Sequence, residues 1–125
     1  METIKIGIVD DHKLVSKALE NLISFNVNFR VTMNCFNGQD FMDQLRTTTD
    51  HPDVVLMDIN MPVMNGIEAS IKMRNLGIKT PIIALTASDK ENILKEILEK
   101  KNGLTDVLVK PFEYADLENV ISRYI

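Results

Sequence analysis

Cysteine is almost missing from this sequence: Cys35 stands alone. One thiol excludes an intramolecular disulfide and any zinc cluster built on cysteines. Basic residues are also in short supply, with 14 Lys and Arg against 18 Asp and Glu and a net charge of −4. The chain therefore has no basic surface for holding nucleic acid unaided, and any action on DNA requires another domain. No apolar run approaches the roughly 20 residues needed to span a bilayer. The start, Met1-Glu2-Thr3-Ile4-Lys5, does not read as a signal peptide, so a reducing cytoplasm is the expected compartment. Internal repeats, low-complexity tracts and linkers are absent as well, which leaves a single domain over residues 1–125 as the expectation. A composition of 45% hydrophobic and 26% charged residues over 125 positions is enough for one well-buried core.

What the chain does contain is an alternation, five times over, of short apolar runs and amphipathic stretches. Ile4 to Val9 is β-branched and apolar and stops at Asp10-Asp11. Leu14, Val15, Ala18, Leu19, Leu22 and Ile23 then recur at helical spacing. Phe29, Val31, Met33 and Cys35 alternate strictly with Arg30, Thr32 and Asn34, which predicts a strand with one wet face at a sheet edge. A second helix is expected around Gln39 to Arg46. Val54 to Met57 is a continuous apolar run, as a parallel strand covered on both faces requires, and ends at Asp58. The third helix is predicted from about Asn65 to Leu76, stopped by Gly77. Pro81 opens a fourth strand, Ile82 to Leu85, which ends at Thr86. The fourth helix is expected from Asp89 to Lys101, with Ile93, Leu94, Ile97 and Leu98 on one stripe. Val107 to Val109 forms the fifth strand and ends at Lys110-Pro111. The last helix carries Leu117, Val120, Ile121 and Tyr124.

Strands and helices in strict alternation predict an α/β doubly wound parallel sheet of five strands with five helices. Right-handed crossovers make the flavodoxin-like order 2-1-3-4-5 the natural arrangement. All strands then point the same way, and ligands bind at their carboxyl ends where the strand order reverses. The runs end in Asp10-Asp11, Asp58, Thr86 and Lys110. The predicted edge strand, by contrast, ends in Phe36. Each polar residue alone has a plain explanation as a helix cap, a turn or a solvated side chain. Together they put three carboxylates at the switch point, flanked by a hydroxyl and an ammonium. Three acids so close repel unless a cation neutralises them, and Mg²⁺ is the best match because it shares its shell with water and phosphate oxygens. With Lys110 and Thr86 alongside, these are parts for phosphoryl transfer. The set holds no His, Cys or Ser placed as a nucleophile, so a carboxylate forming an acyl phosphate is the alternative, and Asp58 is central.

At these residues the sequence resembles the response regulator receiver family over its whole length. The stretches are IVDDH (8–12), VVLMDINMPVMNG (54–66), IIALTAS (82–88) and VLVKPF (107–112). Each is weak to moderate alone; all four in this order are highly specific. The resemblance implies Asp58 as phosphoacceptor, with Mg²⁺ held by Asp11, Asp58 and the backbone carbonyl of Asn60, and Asp10 acting on the metal through water. It implies that Thr86 and Lys110 contact the phosphoryl group, that Lys110-Pro111 is cis, and that the donor is a phosphohistidine on a sensor histidine kinase or a histidine phosphotransfer protein. The family's switch moves Thr86 in concert with an aromatic on the fifth strand, three residues before the lysine. Here that position is Val107, which has no ring to swing. The segment from Thr86 to Lys110 also looks about two residues longer than the family's, so output by another route is expected. Asn60 and Ser88 lie where phosphoryl lifetime is set. The start resembles regulators with a helix-turn-helix output domain, whereas KPFEYADL resembles other subfamilies.

Several features have bland readings. Met33, Met57 and Cys35 are expected in the core, and Met61 and Met64 over the site. His12 reads as a surface residue at a helix start, able to tune the metal site, and His51 as a loop residue. Glu91, Lys95, Glu96, Glu99 and Lys100 read as the wet face of the fourth helix. That face and Tyr114 are where a partner is expected to dock, and a homodimer through helix four, strand five and helix five is allowed. Three other classes compete. A degenerate receiver that binds partners without phosphorylation predicts a missing acid, Thr or Lys, and none is missing. A phosphohydrolase needs a second acid two residues after the nucleophile, where Asn60 stands, and a cap for which there is no room. A flavin or nucleotide carrier needs a phosphate-cradling loop where Asp10-Asp11 repels phosphate.

Overall fold

The computed structural model describes residues 3–59, 61, 64–87, 90–99 and 102–125. Its elements follow the alternation: β1 (Ile4–Val9), α1 (Lys13–Ile23), β2 (Phe29–Cys35), α2 (Gly38–Thr47), β3 (Val54–Asp58), α3 (Gly66–Asn75), β4 (Ile82–Thr86), α4 (Lys90–Leu98), β5 (Asp106–Val109) and α5 (Tyr114–Ser122). The five strands form one sheet in the order β2-β1-β3-β4-β5, every pair parallel. β2 is an edge, as its alternation predicts, and a register shift between Ile6 and Gly7 interrupts its pairing with β1. β3 and β4 are buried at every residue because helices cover both faces.

Neighbouring residues on a strand point to opposite faces, and the core divides accordingly. Val55, Met57, Ala84 and Val107 pack with Phe41, Met42, Met73 and Ile93 under α2, α3 and α4. Val54, Leu56, Ile83 and Leu85 pack with Leu19, Ile23, Leu117 and Ile121 under α1 and α5. Local signals set the helix ends. Asn37 and Asn65 cap α2 and α3 by accepting hydrogen bonds from the backbone N–H of Asp40 (2.7 Å) and Glu68 (2.9 Å). Gly77, at φ +82°, takes the left-handed turn that ends α3. Glu113 and Asp116 close a reciprocal capping box at the start of α5.

Four expectations are refined. The apolar stripe of α1 is only half covered: Leu19 and Ile23 are buried, but Leu14 is 88% exposed. α1 and α5 supply the helical residues that pack on that face of the sheet. α4 ends at Leu98, which is 83% exposed rather than part of the buried stripe. Leu104, from the following loop, takes a buried place in the same cluster as Ile93. Met61 and Met64 are buried in the core beneath α2 and α3, with Met64 against Gly38. Tyr114, expected as a docking residue, opens α5: its ring meets Phe25 edge-on at 6.0 Å, and its hydroxyl donates to Glu118 at 2.7 Å. The expected Asp89, Lys100 and Lys101 of the fourth helix lie outside the described residues.

Candidate functional site

Four strand ends supply the site. Asp10 directly follows β1 and is fixed in line with the sheet because its N–H donates to the Cys35 carbonyl at 3.0 Å. Its side chain is fully buried, and Oδ1 accepts from the His12 N–H at 2.9 Å. Asp58 is the last residue of β3, buried, in the strand next to β1. Thr86 ends β4, also buried, and its carbonyl accepts from the Lys110 N–H at 2.7 Å. That bond ties the residue after β5 to the end of β4. The Lys110–Pro111 peptide is cis, and Pro111 is exposed.

The side chains converge as the sheet order requires. Lys110 Nζ stands 3.6 Å from Asp10 Oδ2 and 3.9 Å from Asp58 Oδ2. One donor atom from each of Asp10, Asp11, His12 and Asp58 lies within 4.8 Å of the other three. Two of the carboxylate oxygens, Asp10 Oδ2 and Asp11 Oδ1, are buried and accept no hydrogen bond. Buried, unsatisfied acceptors are costly, and costlier still when charged. A hard dication with oxygen ligands would satisfy both at once, so the donor set fits Mg²⁺. Asn60, the expected carbonyl ligand, and Ser88 lie outside the described residues.

Val107 occupies β5 opposite Ala84, with Thr86 opposite Val109, so Thr86 and Val107 are diagonal neighbours across the two strands. Val107 is 7% exposed and packs into the core under α4. His12 stands exposed at the start of α1, as the sequence predicts. Its ring leans toward the acids, with Nδ1 at 3.1 Å from Asp11 Oδ1 and 3.4 Å from Asp10 Oδ1. The available signal was its place next to the acid pair.

Residues 6–122 match the response regulator receiver domain family. The chain is 32% identical over 128 residues to a protein-glutamate methylesterase/protein-glutamine glutaminase of Clostridium acetobutylicum, covering 100% of this chain and 36% of that protein. It is 31% identical over 121 residues to the response regulator MprA of Mycobacterium tuberculosis, covering 97% and 49% respectively. Among solved structures, the chemotaxis protein CheY4 of Vibrio cholerae superimposes with a TM-score of 0.82 at 26% identity, covering 98% of this chain and 99% of that one. The receiver domain of the sensor histidine kinase PA1611 of Pseudomonas aeruginosa, solved with magnesium coordinated in its active site cleft, superimposes with a TM-score of 0.78 at 29% identity, covering 98% and 97%. The chain thus spans half or less of the two curated relatives named here.

Proposed function

The chain belongs to the response regulator receiver domain family, and from that premise we propose that Asp58 is its phosphoacceptor, loaded from a phosphohistidine with Mg²⁺ as cofactor. Receiver domains are signalling switches of two-component systems that interact with sensor histidine kinases or phosphotransfer proteins. We read residues 1–125 as one such domain. The observation that carries the assignment is the meeting of Asp10, Asp11 and Asp58 at one point with Lys110 against two of them.

In this reading an Asp58 carboxylate oxygen attacks phosphorus, the P–N bond to the donor imidazole breaks, and the imidazole takes up a proton. When bound, Mg²⁺ neutralises the acids and the phosphoryl oxygens and helps align them. Asp11, Asp58 and the Asn60 carbonyl would hold it, with Asp10 acting through water. Lys110 offsets charge on an equatorial oxygen, and the Thr86 hydroxyl donates to another. Burial of Asp58 and Thr86 keeps those charges in a low dielectric, where each contact counts for more than in water.

The output reading is that Thr86 follows the phosphoryl group while Val107, lacking a ring, does not relay the movement. Output then passes through α4 and its following loop, and a second copy docking on the α4, β5 and α5 face is compatible with it. The domain acts only on its own phosphorylation state and does not itself bind nucleic acid. Among the described residues no helix is long and apolar enough to cross a membrane, and the cytoplasm is the proposed compartment.

The test is intact mass after incubation with Mg²⁺ and acetyl phosphate. A hydroxylamine-labile phosphoryl adduct on the wild type, lost in Asp58→Asn, is expected. No adduct from a protein shown separately to bind Mg²⁺ would sink the proposal in favour of a phosphorylation-independent binding module.

A further inference from the structure

His12 occupies the N-cap position of α1, yet its side chain makes no capping hydrogen bond. Its backbone is held instead: its N–H donates to Asp10 Oδ1 at 2.9 Å and its carbonyl accepts from the Ser16 N–H at 2.9 Å. The ring lies beside the acid pair, with Nδ1 3.1 Å from Asp11 Oδ1 and 3.4 Å from Asp10 Oδ1. That approach is not a hydrogen bond, since Asp11 Oδ1 is buried and accepts none.

The separation is the one expected of two ligands of one metal ion. Donors at right angles on an octahedral ion with bonds of about 2.1 Å lie about 3.0 Å apart, and donors opposite each other about 4.2 Å apart. The 3.1 Å separation of Nδ1 and Asp11 Oδ1 matches the first distance. The 4.8 Å spread of the four-residue set exceeds the second only slightly, so small side-chain rotations close it on one ion. The fully buried Asp10 side chain, its Oδ2 without a hydrogen bond, is independent evidence that the cluster is built for a cation.

We propose that His12 is a nitrogen donor to this cation site and shifts its selectivity from Mg²⁺ toward borderline divalent ions. This rests on the reading that the three acids hold a divalent cation. Carboxylate, carbonyl and water ligands suit Mg²⁺, whereas imidazole suits Ni²⁺, Fe²⁺ and Zn²⁺. The ring is 66% exposed, so it engages or leaves without disturbing the core. With Mg²⁺ the site works through its oxygens; with a borderline ion it gains a fourth protein ligand.

The test is calorimetric titration of the untagged chain with Ni²⁺ and, separately, Mg²⁺, for the wild type, His12→Ala and His12→Asn. The Asn variant restores a capping side chain without offering a nitrogen donor. His51→Ala is the control, because His51 is the only other histidine. Both His12 variants should lose about 10- to 100-fold in Ni²⁺ affinity, keep Mg²⁺ affinity close to wild type, and lose hyperfine-shifted imidazole proton signals in the NMR spectrum of the Co²⁺ form. Equal Ni²⁺ affinity in all four proteins, or equal losses for both ions, overturns the proposal. The acetyl phosphate adduct, formed with Mg²⁺ on His12→Ala, reports separately on the phosphoacceptor reading. That reading stands or falls with the adduct, whatever Ni²⁺ does.

Discussion

Lys110 Nζ points at Asp10 Oδ2 from 3.6 Å, and that oxygen is fully buried without a hydrogen bond. The ammonium occupies the place of a counter-ion without the geometry of a bonded partner. It offsets part of the charge of the acid trio and leaves the oxygen free to accept a tighter cation. Lys110 is thus both a helper of an incoming phosphoryl group and a competitor of the metal.

Those two roles predict opposite effects in Lys110→Ala. Removing a partly exposed charge at this distance is worth roughly 1 kcal/mol, so Mg²⁺ affinity should rise about fivefold. Loss of a charge aimed at the transferring group should slow acetyl phosphate labelling about 10²- to 10³-fold. Calorimetry and timed intact mass separate the two. A fall in Mg²⁺ affinity would show that Lys110 does not oppose the metal.

Two glycines test whether the site depends on how closely α3 approaches the sheet. A Cβ on Gly66 would stand 2.6 Å from the Asp58 carbonyl oxygen and 2.8 Å from Met57 Cγ. A Cβ on Gly103 would stand 2.4 Å from the Ser70 carbonyl oxygen, one turn further along α3 than Gly66. Both alanine variants should destabilise the protein by about 1–3 kcal/mol in urea melts. Only Gly66→Ala should also weaken Mg²⁺ binding, because it pushes on Asp58 itself. Equal weakening in both would mean that the loss is global.

Much of this was legible from residue order. The continuous run Val54 to Met57 and the alternation from Phe29 to Cys35 distinguish an interior strand from an edge, and the sheet places them so. Once the order is 2-1-3-4-5, Asp10, Asp58, Thr86 and Lys110 have to share one rim. Side-chain coverage was less legible. Helical spacing marks Leu14 and Leu98 as apolar-face residues, but whether a neighbour covers them depends on how many helices share a face and where the loop turns. His12 was legible as a helix-start surface residue able to tune the metal site, but the 3.1 Å approach of its ring to Asp11 Oδ1 is side-chain geometry that no periodicity encodes.

Thr86 and Val107 are diagonal neighbours on β4 and β5, and only one has a group that can follow a phosphoryl oxygen. Thr86→Val keeps the shape and removes the hydroxyl, at a stability cost of about 1 kcal/mol. It should still form the Asp58 adduct but lose the phosphorylation-dependent amide shifts of α4. Val107→Ala should cost about 2 kcal/mol and leave those shifts in place. Two-dimensional amide NMR with and without acetyl phosphate reads both. If Val107→Ala abolishes the shifts, the relay runs through residue 107 after all.

Cys35 offers a pH test away from the site. Its thiol is buried at the end of β2, and burial, aided by the nearby Asp40, pushes its pKa from 9.0 up to about 12. In the unfolded chain the thiol ionises first, so above pH 9 the unfolded state sheds a proton that the folded state keeps. The stability this group contributes is therefore complete below the unfolded value of 9.0 and is lost as pH climbs toward 12. Urea melts of the wild type and Cys35→Ala should differ by a constant amount up to about pH 8, and the difference should shrink above about pH 9. A thiol reagent should label Cys35 only as fast as the protein opens, since neither access nor thiolate is available in the folded state. A stability difference that grows with pH would mean that the folded thiol ionises easily, and the packing of β2 against α2 would have to be looser than the structure has it.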